Sequence, residues 1–405
     1  MNFSIERWIR ISFFNLCLVA AMGVILRYKI AFSLPFVDQK YLLHAHSHFA
    51  FAGWISQIIM VLMVYRLSLH SQQDEFRRYR YYLSANLLTA YGMLISFPLQ
   101  GYGLYSIVFS TLSIFASYAF AIRSWTDLSR APIFRLSKWW YKAALVFNCV
   151  SSLGAFYLAY MMATKNIHQE KYLGSVYFFL HFQYNGWFFF ACMGLLYEQL
   201  EKYIPAQKLG SVFFLMLIAC VPAYFLSALW LPIPVWVYVC VVIAAIIQVL
   251  AWAWLGGQIF KMRKQLFPAV SGTGKYLMAL SAIALTIKLL LQAGSTIPAL
   301  SQLAFGFRPI VVGYLHLVLL GVISLFLLGY IFSLPFFHPH KLMIAGGFIF
   351  SSGVILNEIS LMIQGIAAMD YTPVRFINEI LFVMALILFC GALCIRYGLS
   401  VKQRN

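Results

Sequence analysis

Three histidines in this 405-residue chain recur in the same company. They open the runs His48-Phe-Ala-Phe-Ala-Gly53-Trp54, His181-Phe-Gln-Tyr-Asn-Gly186-Trp187 and His316-Leu-Val-Leu-Leu-Gly321-Val322. Positions 48, 181 and 316 lie 133 and 135 residues apart, and each His precedes a Gly by five residues inside a long apolar stretch. A period that long predicts three equivalent units, near 1–138, 139–272 and 273–405, within one polytopic membrane domain. Imidazole is costly in hydrocarbon, so matched intramembrane copies predict a site. The chemistry open to them is metal or haem ligation and proton transfer.

Other side chains join these three. His44, His46 and His48 alternate along one predicted helix. At 100° per residue His44 and His48 share a face, and His46 points about 200° away, so one ion cannot take all three. One of them could hold a cofactor while His44, nearer the surface, touches its polar edge. The plainer reading of His44 is bonding to water or lipid headgroups. His181 is followed by Gln183 and Asn185, with Asn185 one turn below the His on the same face. That trio reads equally as a small-molecule or metal pocket and as an interhelical hydrogen bond. His316 follows Arg308 and Tyr314. An Arg at the membrane surface suits cofactor carboxylates, or it snorkels to headgroups. Lys288, Glu358 and Glu379 also fall at membrane depth, and Lys288 and Glu358 could pair. His338 and His340 read as solvated loop residues, and the seven cysteines read as small apolar packing residues.

The elements that must position these groups are membrane helices. The chain is 63% apolar and 10% charged, which a water-soluble surface cannot accommodate. Apolar segments of about 20 residues occur near 9–29, 42–65, 80–99, 102–123, 140–163, 174–197, 209–230, 233–256, 276–296, 309–332, 341–365 and 375–396. The fold class expected is therefore all-α integral membrane, with twelve transmembrane helices in three pseudo-repeated four-helix arcs. The first segment reads as a retained helix, since it lacks a cleavage-site pattern. The net charge of +18 follows topology. Basic clusters such as Arg77, Arg78 and Arg80, or Lys261, Arg263 and Lys264, alternate with loops nearly free of charge, such as 100–103 and 231–234. Positive-inside bias then predicts a cell inner (plasma) membrane protein with both termini cytoplasmic. Membrane lipid is the expected partner. Nucleic acid is not, because the basic residues sit at helix ends.

With its twelve helices and its His on helices 2, 6 and 10, the chain resembles subunit I of the haem–copper oxidases and nitric oxide reductases. The run His46-Ser-His48-Phe-Ala-Phe-Ala-Gly53-Trp54 is also similar to a His-x-His-x-x-x-x-Gly-Trp stretch of divergent relatives. The resemblance implies that His48 or His46, together with His316, ligates a low-spin haem b, and that His181 matches a ligand of the second metal. The family's His pair in helix 7 has no counterpart, since residues 209–230 contain no His, and helix 10 carries His316 alone. Copper or non-haem iron, and turnover of oxygen or nitric oxide, are therefore not expected. The implied function is electron transfer, haem handling or gas sensing, oxidoreductase-like with a degenerate binuclear centre. The partner implied is a redox protein or quinol. A second possibility resembles the twelve-helix haem and copper proteins linked to nitric oxide stress. The rival from another class is a cofactor-free proton-coupled transporter using the His level as its substrate site.

Overall fold

The computed structural model describes residues 4–71, 74–301 and 307–399. It is 85% helical, and there is no strand among the described residues. Nine helices there are long and apolar enough to cross a bilayer: Ile5–Phe32, Gln39–Ser68, Leu104–Arg130, Arg135–Ala163, Val235–Lys261, Gly272–Gly294, Arg308–Ile331, Lys341–Met369 and Ile377–Gly398. Large apolar side chains such as Leu88, Leu99, Ile122, Val235 and Trp236 point outward. In water they would aggregate; against lipid they are at home. The chain is a multi-pass membrane protein.

Three expected spans fall outside those nine, each for a visible reason. Glu75–Gln100 is 26 residues long, but its tyrosines, Asn86, Ser96 and Pro98 dilute its apolar character. The expected span at 174–197 is interrupted by a wider turn into Gln169–His181, Phe182–Phe188 and Phe189–Leu200. Ala206–Cys220 has only 15 residues, and Pro222 tightens the chain beyond it into a 3-10 turn. Proline has no N–H to donate and clashes with the preceding helical turn.

Local chemistry sets several boundaries. The Asp38 carboxylate caps the Gln39 helix by accepting from the Tyr41 N–H at 2.8 Å. Asp74 does the same for Arg77 at 3.1 Å. Gly101 ends the Glu75–Gln100 helix at φ +58°, with the Tyr41 ring lying where a Cβ would go. Only glycine meets both conditions.

The described chain forms two compact units. The first comprises residues 1–123, 271–278 and 324–405, and the second 124–270 and 279–323. In the first unit the Gln39–Ser68 helix is the core element, with every residue from Gln57 to Leu67 buried. A helix apolar on all faces belongs in such an interior. In the second unit Trp140, Tyr141, Trp187, Phe188 and Tyr197 are fully buried and form much of the packing.

Candidate functional site

Each of the three histidines is followed within two residues by a stretch of π-helix. The wide turns run over Ala50–Ser56, Phe182–Phe188 and Leu317–Ser324. A π turn spaces its hydrogen bonds five residues apart, opens the helix locally, and is found frequently at functional sites. It also leaves backbone carbonyls in need of donors. Neighbouring helices supply them. Asn15 Nδ2 donates to Gly53 O at 2.5 Å, and Asn86 Nδ2 donates to Ala52 O at 3.0 Å. The Cys220 thiol donates to Asn185 O at 3.8 Å, and Ser281 Oγ donates to Val322 O at 2.6 Å.

These donors follow the same period as the histidines. Asn15, Asn148 and Ser281 stand at intervals of 133 residues on the helix preceding each His, while Asn86 and Cys220, 134 apart, stand on the helix following it. Asn148 is the exception: its Oδ1 accepts from Gln183 Nε2 at 3.0 Å, and its own Nδ2 is buried without a partner. None of these residues was singled out by type, because isolated Asn, Ser or Cys in apolar helices draws no attention. The signal available was the interval.

The histidines differ in what their rings do. His46 Nδ1 lies 3.1 Å from Val19 O, and His316 Nδ1 lies 2.8 Å from Val312 O, one turn back on its own helix. In each case Nδ1–H donates to a backbone carbonyl, so Nε2 is the nitrogen with the lone pair. Iron-ligating histidines are commonly oriented in this way. A Cβ at Gly23 would meet the His46 ring in ordinary van der Waals contact.

His48 lies in an aromatic cluster. Its ring stacks on Phe97 at 4.5 Å and 19°, and its Nε2 is 3.2 Å from the Tyr102 hydroxyl. His44 meets the Tyr102 ring edge-on at 4.6 Å, with its Nε2 buried and without a partner. The expected split of the trio holds: His44 and His48 face one group of residues, and His46 turns to the first helix. Arg308 is the first residue of the Arg308–His316 helix and is exposed.

His181 is wholly buried with both ring nitrogens engaged. Nε2–H donates to Cys220 O at 2.8 Å, and Nδ1 accepts from Asn185 Nδ2 at 3.0 Å. Cys220 O is available because its helix stops there, ahead of Pro222. A metal at His181 would have to displace one of these bonds. Among the described residues no three His, Cys, Asp or Glu side chains gather as a metal-binding group.

Lys288 and Glu358, expected as a possible pair, belong to different units, and each is described within its own. Glu358 accepts from Asn357 Nδ2 at 3.2 Å and has Arg27 as its nearby cation. Lys288 lines a small cavity in the second unit with Asn185 and Gln248. All seven cysteines are free of disulfides.

No protein-family model matches the chain, and no curated protein matches it.

Proposed function

We propose that this protein is a haem-binding integral membrane protein similar in plan to subunit I of the haem–copper oxidases, with twelve membrane helices in three four-helix arcs. Glu75–Gln100, the interrupted stretch from Gln169 to Leu200, and Ala206–Cys220 are the three spans added to the nine. The threefold plan is supported by the π turn after each His and by the 133-residue spacing of Asn15, Asn148 and Ser281. The inner membrane location and cytoplasmic termini rest on the alternation of basic loops.

The observation that carries the haem reading is the shared state of His46 and His316. Each holds its Nδ1–H on a backbone carbonyl, the tautomer in which Nε2 carries the lone pair that iron would take. They are the proposed ligands. Of the pair left open by the sequence, His46 is preferred over His48 because its Nδ1 is held on a backbone carbonyl, Val19 O. Arg308 suits a haem propionate: it stands eight residues ahead of His316, about 12 Å along the helix. Haem bound by two imidazoles is low-spin and supplies one-electron transfer. A redox protein or quinol would be its exchange partner.

The test is an absorption spectrum of the purified full chain, oxidised and reduced. A low-spin b-type spectrum is expected, converted to high-spin or lost in His316→Ala and in His46→Ala and retained in His48→Ala. A colourless protein after expression with ample haem refutes the reading. Loss in His48→Ala with retention in His46→Ala reassigns the ligand.

A further inference from the structure

Lys288 is buried to 6% exposure in the second unit, on the Gly272–Gly294 helix. Its ammonium makes no hydrogen bond and no ion pair with any described residue. It lines a cavity with Asn185, Phe189, Phe190, Met216, Gln248 and Leu285. The space open to the centre of a water-sized sphere is about 10 Å³, room for a single particle. Gln248, 7% exposed, makes no hydrogen bond, and its Oε1 is fully enclosed without a partner. Asn185, 6% exposed, commits one N–H to His181 Nδ1 and keeps another.

A buried lysine stays an ammonium only beside a counter-charge, since desolvation is not repaid by apolar walls and an unpaired group sheds its proton instead. The acidic side chains of this unit nearest the aromatic core are already committed. Glu198 accepts from the Tyr141 hydroxyl at 2.8 Å, and Glu201 accepts from the Leu136 and Ser137 N–H groups at 3.1 and 2.8 Å. The neighbours Lys288 does have, Asn185 and Gln248, are primary amides. Either can turn N–H groups toward an anion beside the ammonium.

We propose that the Lys288 cavity is a binding site for one small monovalent anion of halide size. The Lys288 ammonium supplies the charge, the Gln248 amide donates a hydrogen bond, and the free N–H of Asn185 completes the shell. Phe189, Phe190, Met216 and Leu285 keep bulk water out, which strengthens each of these contacts. Through the Asn185 amide the anion is linked to His181 and so to Cys220 O. The site needs no haem and stands apart from the haem reading.

The test uses the full chain in detergent or nanodiscs, melted at constant ionic strength in sodium gluconate, chloride, bromide or sulfate. A ligand that binds only the folded state raises the melting temperature with concentration. A saturable rise of roughly several degrees is expected with chloride and bromide and not with gluconate or sulfate. Lys288→Met should abolish it. Gln248→Glu places a carboxylate beside the ammonium and should make the protein halide-independent while leaving it folded, so the proposal stays testable if Lys288→Met does not fold. Equal melting of the wild type in gluconate and bromide, as a neutral amine or a lone bound water would give, overturns the proposal. So does an undiminished halide response in Gln248→Glu.

Discussion

Replacing Asn15 by Leu should expose the cost of the first π turn. Asn15 is fully buried, donates to Gly53 O at 2.5 Å and accepts from the Tyr91 hydroxyl at 2.6 Å. Leucine keeps the branched shape at a larger volume, so some overpacking is added at both asparagine sites compared below and the difference between them reports on the polar groups that lose a partner. Interhelical hydrogen bonds in membranes average about 0.6 kcal/mol and reach about 1.7. Two of them give about 1–3 kcal/mol, or roughly 5- to 150-fold in the unfolding equilibrium. The same change at Asn148, 133 residues on, should cost less by about 1 kcal/mol or more. Its Nδ2 already lacks a partner, and Gln183 retains Ser151 Oγ at 2.8 Å. Ser281→Ala, which removes one bond to Val322 O, should fall between them. The assay is reversible unfolding in mixed micelles at several denaturant concentrations, comparing midpoints at constant slope. If Asn148→Leu destabilises as much as Asn15→Leu, the donors do not act by satisfying π-turn carbonyls.

Two more outcomes are expected. Gly101→Ala places a side chain at φ +58° against Tyr41, so it should lower stability by more than the roughly 1 kcal/mol of a simple left-handed penalty, measured in the same micelle assay; a neutral effect would contradict the packing at that turn. Single cysteines at Gln100 and His70 should react with a membrane-impermeant maleimide from opposite sides of intact cells, with His70 protected; labelling from the same side would remove the topology.

Much of the architecture was readable because the bilayer imposes length and composition on every span. The three His-to-Gly runs located the three π turns to within two residues, although nothing in their spacing announces a change of helical pitch. Side-chain periodicity assumes a regular helix, so an inserted wide turn is invisible to it. The rotation of His46 away from His44 and His48 was legible, because it depends only on residues before the turn. Cys220 was read as inert packing. Its role depends on Pro222 ending a helix two residues later and so leaving a carbonyl for His181. The neighbours of Lys288 and of Glu358 were not legible, because depth along a helix carries no information about which face it turns to which neighbour.

The first unit is assembled from both ends of the chain. Arg10 reaches Leu399 O, and Tyr28 and Phe32 pack edge-on against Phe382. Ribosomes add roughly 5–20 residues per second, so about 15–65 s separate synthesis of the Gln39–Ser68 helix from that of Ile377–Gly398. Asn15 and Asn86, on the helices before and after it, are in place early to serve Gly53 O, Ala52 O and Gln57. Trp54 is not so served: its N–H donates to Ser324 Oγ at 3.0 Å, so until Ser324 is made this helix sits in the membrane with an unmatched polar group. This helix is where a stalled or shortened chain becomes vulnerable to membrane quality control, and a chaperone or protease that recognises an unmatched polar face would find it there first.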